Sequence, residues 1–393
     1  MSELRFNVDE DWAFIAENWD IRSDTTYLNH GSFGPSPRVV REKRAEWIRD
    51  LDSQPMDFYV RRLEPLMGEA REKTAQFFGT QPGNFVFVEN ATFGMNVVAE
   101  SFPLDSDDEV LLNNHEYGAV HRIWNRRCGK TGSRVASVNL PDSAFESAES
   151  LRDALLAGVT PRTRLVVLSH ITSAPALIWP LEKIIPAFRE RGISVCIDGP
   201  HAPAQIELAL DNLNADFYVA SCHKWLCGPL GTGFLYAHPR NHSIIQPTVK
   251  SWGRLLPAMP ERWDEEFTWS GTADPSRYLS IPTAIEFMES IGLKTFRDRA
   301  YWLASYAEKK IGELTGTKPI ADRNAGWYGT MAHVPLPPGD WSQLQDDLFQ
   351  KYGIETPVIH FDDRWFIRVS GHLYVMTKHI DYLVDALKTL LKR

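Results

Sequence analysis

Four cysteines in a chain of 393 residues do not make the disulfide framework of a small secreted scaffold. Cys222 and Cys227 straddle a lysine, but their spacing is longer than Cys-x-x-Cys and no second ligand pair accompanies them. No metal centre is therefore expected. Basic residues are in deficit: 42 Lys and Arg stand against 51 Asp and Glu, a net charge of −9 without any basic run. This argues against nucleic acid as the main partner, because phosphate backbones demand clustered cations. No apolar stretch approaches the roughly 20 residues that span a bilayer. Residues 1–30 hold no apolar segment of the kind a secretory signal needs. The expectation is a cytoplasmic protein with neither a membrane nor a nucleic-acid partner. Internal repeats and low-complexity tracts are also missing.

What is present is the composition of an ordinary enzyme, 43% hydrophobic and 24% charged, in a length that suits two domains of unequal size. Thirteen scattered tryptophans read as core or pocket wall. A helical pattern at 9–19 precedes the extended segment TTYLNHGSFGPSPRVV, and helical spacing returns at 38–52 and 56–78. Short β-branched runs then alternate with helical patterns: FVFV at 85–88, EVLLNN at 109–114, RVASVNL at 134–140, RLVVLSH at 164–170, ISVCID at 193–198, DFYVAS at 216–221 and GTGFLYA at 231–237. Such alternation predicts an α/β fold with a mostly parallel sheet covered on both faces. Ligands of these sheets bind at the carboxyl ends of the strands, where Thr92, His115, Ser169, Asp198 and Ser221 all fall. From about 277 the texture changes to helices at 277–291 and 294–315, strands near 329–334, 354–359 and 364–369, and a helix at 376–392. These predict a smaller α+β domain. The division expected is 1–30 as an N-terminal segment packing with the small domain, 31–276 as the large domain and 277–393 as the small one. The Pro-rich stretch 247–275 reads as a loop facing a partner or cofactor.

Lys224 is oddly placed for a solubilising charge, between His223 and the apolar run Trp225, Leu226 and Cys227. A desolvated lysine loses proton affinity and becomes an amine nucleophile, the type that bonds a carbonyl carbon. The aldehyde cofactor that uses such a lysine also needs an acidic partner for its pyridinium nitrogen, and Asp198 at a strand end is the candidate. Alone, the two are weak evidence, since strand-end aspartates and loop lysines are common. Ser221 and His223 add donors suited to a phosphate. ENATFGMN at 89–96 adds a helix start carrying Thr92, and helix N-termini collect phosphates. The ordered set points to pyridoxal phosphate.

Over nearly its whole length the chain resembles the fold type I (aspartate aminotransferase-like) enzymes, within them the class-V aminotransferase family and its isopenicillin N epimerase-like branch. The resemblance runs through YLNHGSFGP, NATFGMN, NNHEYGAV, SHITSAP, IDGPHAPAQ, SCHKWLCGPLGTGFLY, WSGTADPS and FIRVSGHLY. It implies that Lys224 carries the cofactor and shuttles the Cα proton, while Asp198 keeps the ring nitrogen protonated. It further implies that His201 approaches the ring's phenolic oxygen, and that Thr92, Ser221 and His223 bind the phosphate. Gly271 and Thr272 would reach the phosphate from a second subunit, making a homodimer with shared sites. Tyr117, with His115 next, would stack on the ring. Arg368 would form a bidentate pair with the α-carboxylate of an amino-acid-like substrate, with Asn29 and His30 lining the same pocket.

Two departures narrow the chemistry. Class-V cysteine desulfurases carry a nucleophilic cysteine shortly before the carboxylate-binding arginine, whereas GIETPVIHFDDRWFIR has none. Persulfide-forming desulfuration is thereby disfavoured. Their Ser-Asn pair near the cofactor reads here as Thr172 and Ser173. The expected activity is epimerisation at the α-carbon first, C–S lysis second and transamination third. A scaffold retained only for binding would not need both Lys224 and Asp198. Trp252, Arg254, Trp263 and Trp327 are candidate walls for the substrate side chain.

Overall fold

The β-branched runs pair into a seven-stranded sheet whose strands are almost wholly buried, except the partly exposed edge strand Arg134–Val138. A computed structural model describes residues 4–252 and 260–392. In chain order the strands are β1 (Thr26–Tyr27), β2 (Phe85–Val88), β3 (Glu109–Asn113), β4 (Arg134–Val138), β5 (Thr163–Ser169), β6 (Ser194–Asp198), β7 (Phe217–Ser221) and β8 (Gly233–Ala237). They are followed by β9 (Met331–Pro335), β10 (Ile354–Glu355), β11 (Val358–Phe361) and β12 (Arg364–Ser370). The large sheet has the order β2-β8-β7-β6-β5-β3-β4. Successive residues enter two different cores. Val110, Leu112, Val167 and Val219 join the helices Ala91–Ser101 and Gly118–Thr131 on one face. Leu111, Val166, Leu168 and Tyr218 join the helices Ala148–Leu156 and Leu181–Arg189 on the other. Burial on both faces is why these strands read as continuous apolar runs.

Strand β8 is antiparallel to both β2 and β7, so β2 runs in the same sense as the parallel strands β7, β6, β5, β3 and β4. Six carboxyl ends therefore meet along one edge. Packing at that edge is close: a Cβ on Gly233 would lie 2.4 Å from the Ala220 carbonyl oxygen and 2.9 Å from Asn90 Cα. Only glycine lets β8 start against the turn that begins the helix Ala91–Ser101.

A second, antiparallel sheet of order β11-β12-β9 packs with the long helix Leu293–Thr315. The N-terminal residues are tied to this part of the chain. β1 pairs in parallel with β10, Ser370 N–H donates to the Leu28 carbonyl at 2.8 Å, and Arg299 binds Asp9 at 2.6 Å. The four cysteines are buried and free. No helix among the described residues is long and apolar enough to cross a membrane.

The observed elements depart from the sequence reading at several places. The pattern at 56–78 is interrupted: a π-helical turn at Phe58–Arg62 separates Pro55–Asp57 from Leu63–Phe77. The pattern at 9–19 condenses to a 3₁₀ turn, Asp9–Trp12, and one α turn, Ala13–Ala16. A helix at Leu344–Tyr352 carries only two buried residues, Leu344 and Leu348, too few to stand out as a periodic apolar face.

Candidate functional site

Two hydroxyls and a carboxylate stand at the last positions of adjacent strands: Ser169 on β5, Asp198 on β6 and Ser221 on β7. Ser169 and Asp198 are register partners. Beside Ser221 the helix Ala91–Ser101 begins, capped by Asn90, whose side chain accepts from Phe93 N–H at 2.9 Å. Ser221 Oγ accepts the Ala91 N–H at 3.2 Å, which leaves its own hydroxyl proton to donate outward. The Thr92 N–H meets no protein acceptor among the described residues, and Thr92 is exposed. A free amide at a helix start, flanked by two hydroxyls, is a phosphate cradle. His223 Nδ1 lies 3.0 Å from the Thr232 carbonyl and so carries the proton. To donate to a phosphate as well, His223 must be cationic, a state that a nearby dianion favours.

The hairpin loop after β7 presents Lys224. Its Nζ lies 3.2 Å from His201 Nε2, and Trp225 Nε1–H points at His201 Nδ1 from 3.4 Å. With Nδ1 accepting from the indole, a neutral His201 holds its proton on Nε2, directed at the amine. Burial keeps His201 well below the ordinary histidine range. Desolvation, with the Arg368 cation adding to it and Asp198 opposing, lowers Lys224 to about 7. At neutral pH a large fraction of the amine is thus free to act as nucleophile or base. Asp198 is buried and pushed up to about 7 by desolvation, with Lys224 pulling the other way. No side-chain donor among the described residues supports its carboxylate, so a cationic N–H brought to it would find an unpartnered acceptor.

Arg368, in β12, reaches across from the small sheet and is almost fully buried. Its Nη1 donates to the Ser173 carbonyl at 2.9 Å and its Nη2 to Ser32 Oγ at 2.6 Å, while its buried Nε finds no acceptor. Burial lowers it to about 10, with the Tyr117 phenol the countering influence. None of the ion pairs among the described residues involves Arg368. A buried guanidinium held by neutral oxygens alone is set up to receive an anion.

The other expected site residues occupy varied positions. Tyr117 is half-exposed at the start of the helix Gly118–Thr131, within electrostatic reach of Arg368. The His115 ring lies between Phe145 and Phe361, with centroids 4.9 Å from each. Asn29 donates to Glu355 at 3.2 Å and keeps a buried Oδ1 without a partner. His30 is fully buried, with one ring nitrogen on Tyr374 and the other on the Lys224 carbonyl, so neither is left for a substrate. Gly271 borders a cavity of about 600 Å³ lined by Tyr59, Arg71, Phe93, Trp269 and Tyr278, beside an exposed Thr272. The WSGTADP segment, at the end of the loop stretch 247–275, has partners within its own chain: Tyr59 donates to the Ala273 carbonyl at 2.9 Å and Arg44 pairs with Asp274 at 3.2 Å. Of the candidate wall residues, Trp252 is exposed, Trp263 donates to the Gly83 carbonyl and Trp327 packs edge-on to Phe145. Arg254 lies outside the described residues.

Glu116 had no signal beyond its place in NHEYGA. It is buried beneath the strand ends, accepting from Ser169 N–H at 2.9 Å, Ser169 Oγ at 2.8 Å and Asn113 at 2.7 Å. Desolvation and the nearby Asp198 charge raise it to about 8. Ser32 and the Ser173 carbonyl, which together aim Arg368, were also invisible as a pair. One is a small polar residue and the other a main-chain atom.

An unpartnered acid, a desolvated lysine and an open anion cradle on one edge fit the three poles of pyridoxal phosphate: ring nitrogen, aldehyde and phosphate. Comparisons with known proteins agree. The family described as Aminotransferase class-V matches residues 35–358. Isopenicillin N epimerase of Amycolatopsis lactamdurans is 33% identical over 97% of this chain and 99% of that protein, and the Streptomyces clavuligerus enzyme is 32% identical over 97% and 98%. Hercynylcysteine sulfoxide lyase of Schizosaccharomyces pombe is 25% identical over 93% and 94%. Among solved structures, the cystine C-S lyase C-DES superposes with a TM-score of 0.80 at 21% identity, covering 93% of this chain and 98% of that one. The cysteine desulfurase CsdA of Escherichia coli gives 0.81 at 19%, covering 97% and 98%, and these two likenesses speak for the fold. The chain therefore belongs to the class-V aminotransferase family and is a pyridoxal-phosphate-dependent enzyme of fold type I.

Proposed function

We propose that this enzyme epimerises an amino-acid-like substrate at its α-carbon, with Lys224 as the cofactor-bearing base and Arg368 as the carboxylate anchor. The observation that carries the reading is Arg368, a buried cation with an unused Nε and no acidic partner among the described residues, electrostatically coupled to Lys224. The cofactor, when bound, draws electrons from the substrate α-carbon and so acidifies its proton. The protein's residues then handle that proton. Lys224, lowered to about 7, takes it with its neutral amine, which stands 3.2 Å from His201 Nε2. Asp198 holds a positive ring nitrogen by its charge. Thr92, Ser221 and His223 anchor the phosphate. Inversion needs a second acid on the opposite side of the substrate. Tyr117 is the candidate, because the His115 ring is enclosed by Phe145 and Phe361.

Two full-length relatives above 30% identity named as epimerases support this order of preference. A second reading, C–S lysis, draws support from relatives at 25% and 26% identity named hercynylcysteine sulfoxide lyase and L-cysteine desulfhydrase. The two readings part on products. Incubation with a panel of amino acids in D₂O should give α-deuterium exchange and the opposite epimer, without keto acid or released sulfur compound. Stoichiometric sulfur release with keto acid would replace epimerisation by lysis.

Arg368→Lys keeps a charge but loses the planar fork. Apparent affinity for the amino acid should fall by about tenfold or more, with cofactor absorbance unchanged. Unaltered affinity in a titration would make Arg368 a structural cation.

We also propose that the active unit is a two-fold dimer in which Gly271 and Thr272 complete the partner's phosphate site. The half-buried Gly271 on the lining of the 600 Å³ cavity and the exposed Thr272 next to it support this. Mixing a Lys224→Ala protein with one disabled at 270–273 should regain up to about a quarter of the activity, since half the dimers are mixed and each has one intact site. No recovery after demonstrated subunit exchange would refute the shared site.

A further inference from the structure

A second polar cluster, fully buried, touches the main chain of Lys224. His30, Cys227 and His372 bring ligand-type atoms within 4.8 Å of one another, a grouping that could suggest a metal. The rings argue otherwise. His30 and His372 are stacked with centroids 3.6 Å apart and planes only 15° from parallel. Ring lone pairs lie in the ring planes, and these two planes meet only far outside the cluster. No ion about 2.1 Å from both nitrogens can lie in both planes.

The hydrogen bonds give the cluster another purpose. The Lys224 carbonyl can only accept, so His30 Nε2, 3.0 Å away, must carry the ring proton. His30 Nδ1 is then the acceptor for the Tyr374 hydroxyl at 2.9 Å. Burial holds His30 down to about 3, so the ring stays neutral and this donor order does not change at working pH. Tyr374, His30 and the Lys224 carbonyl form one directed chain. Space for it is made by Gly34, where a Cβ would stand 2.5 Å from His30 Nε2 and 2.9 Å from the Lys224 carbonyl oxygen. The same short segment also supports the anchor, as Ser32 binds Arg368, Gly31 N–H donates to Ser370 Oγ at 3.0 Å and Ser370 N–H donates to Leu28.

We infer that His30 is a positioning residue: through its Nε2–H bond to the Lys224 carbonyl it fixes the turn that aims the lysine amine at the cofactor aldehyde. Residues 28–32 are thus a strut shared by Lys224 and Arg368. The inference rests on the reading of Lys224 as the cofactor-bearing lysine.

The test follows capture of pyridoxal phosphate by cofactor-free protein, measured over time as borohydride-fixed cofactor. His30→Ala and Gly34→Ala should each slow capture by about tenfold, the scale of one lost buried hydrogen bond. His30→Gln, whose amide N–H can still meet the carbonyl, should remain within about threefold of the parent. Gly34→Ala retains the imidazole and displaces only the contact, so it decides the matter if His30→Ala fails to fold. Parental rates in the folded alanine variants, or a His30→Gln protein as slow as His30→Ala, would overturn the positioning role. Lys224→Ala separates the two levels. Cofactor still fixed in that variant would defeat the reading of Lys224 itself, whereas its loss alongside parental rates in the His30 and Gly34 variants would defeat only the strut.

Discussion

Lys224→Ala is expected to lose turnover by about 10⁴-fold or more while the fold survives. Two functions go together: the covalent link to the cofactor and the base that moves the α-proton. The substitution costs little structurally. Among the described residues Lys224 makes no ion pair, and its Nζ has only His201 as a hydrogen-bond partner. Removing a desolvated cation beside Arg368 should leave melting temperature unchanged or higher. Phosphate cradle and Asp198 remain, so the variant should still bind pyridoxal phosphate non-covalently. Turnover near the parental level would end the proposed mechanism.

Asp198→Asn should reduce the proton-transfer step by about 10²-fold or more while much of the cofactor stays bound. The amide nearly preserves shape but cannot offer a charge to a pyridinium nitrogen. Pre-placed charge in a dry site acts chiefly on the transition state, so chemistry should suffer more than occupancy. A signature in the cofactor-free protein accompanies this. Burial raises Asp198 from 3.8 to about 7. A folded pKa above the unfolded one means the folded state retains a proton that the unfolded chain has released. The destabilisation from the buried charge is full above about pH 7 and absent below about pH 4. Asparagine has no charge to bury. The cofactor-free variant should therefore melt above the parent at pH 8, with the gain fading toward pH 4. A fall in occupancy with unchanged chemistry would make Asp198 a structural residue.

Much of the large sheet was legible because its strands are buried on both faces and so appear as continuous runs. ISVCID ends in the observed strand end Asp198, and FVFV is β2 residue for residue. The strand ends in turn located Asp198, Ser221 and Thr92. What stayed hidden was non-local. Pairing of Thr26–Tyr27 with Ile354–Glu355 involves four residues separated by most of the chain. Ser173 serves Arg368 through a carbonyl, which no side-chain pattern announces. His30 was read from its motif as a pocket-lining group, but the close approach permitted by Gly34 places it against the Lys224 main chain instead. The helix Leu344–Tyr352 escaped because a surface helix with two buried leucines lacks a full apolar stripe.

The central claim is that one lysine, Lys224, bonds the cofactor. Borohydride reduction of the holoenzyme followed by peptide mapping tests it most directly. The account predicts a pyridoxyl-phosphate adduct on the peptide bearing SCHKWLCGPL, at Lys224 and at no other lysine. An adduct on a different lysine, or cofactor that dialyses away after reduction, would contradict it.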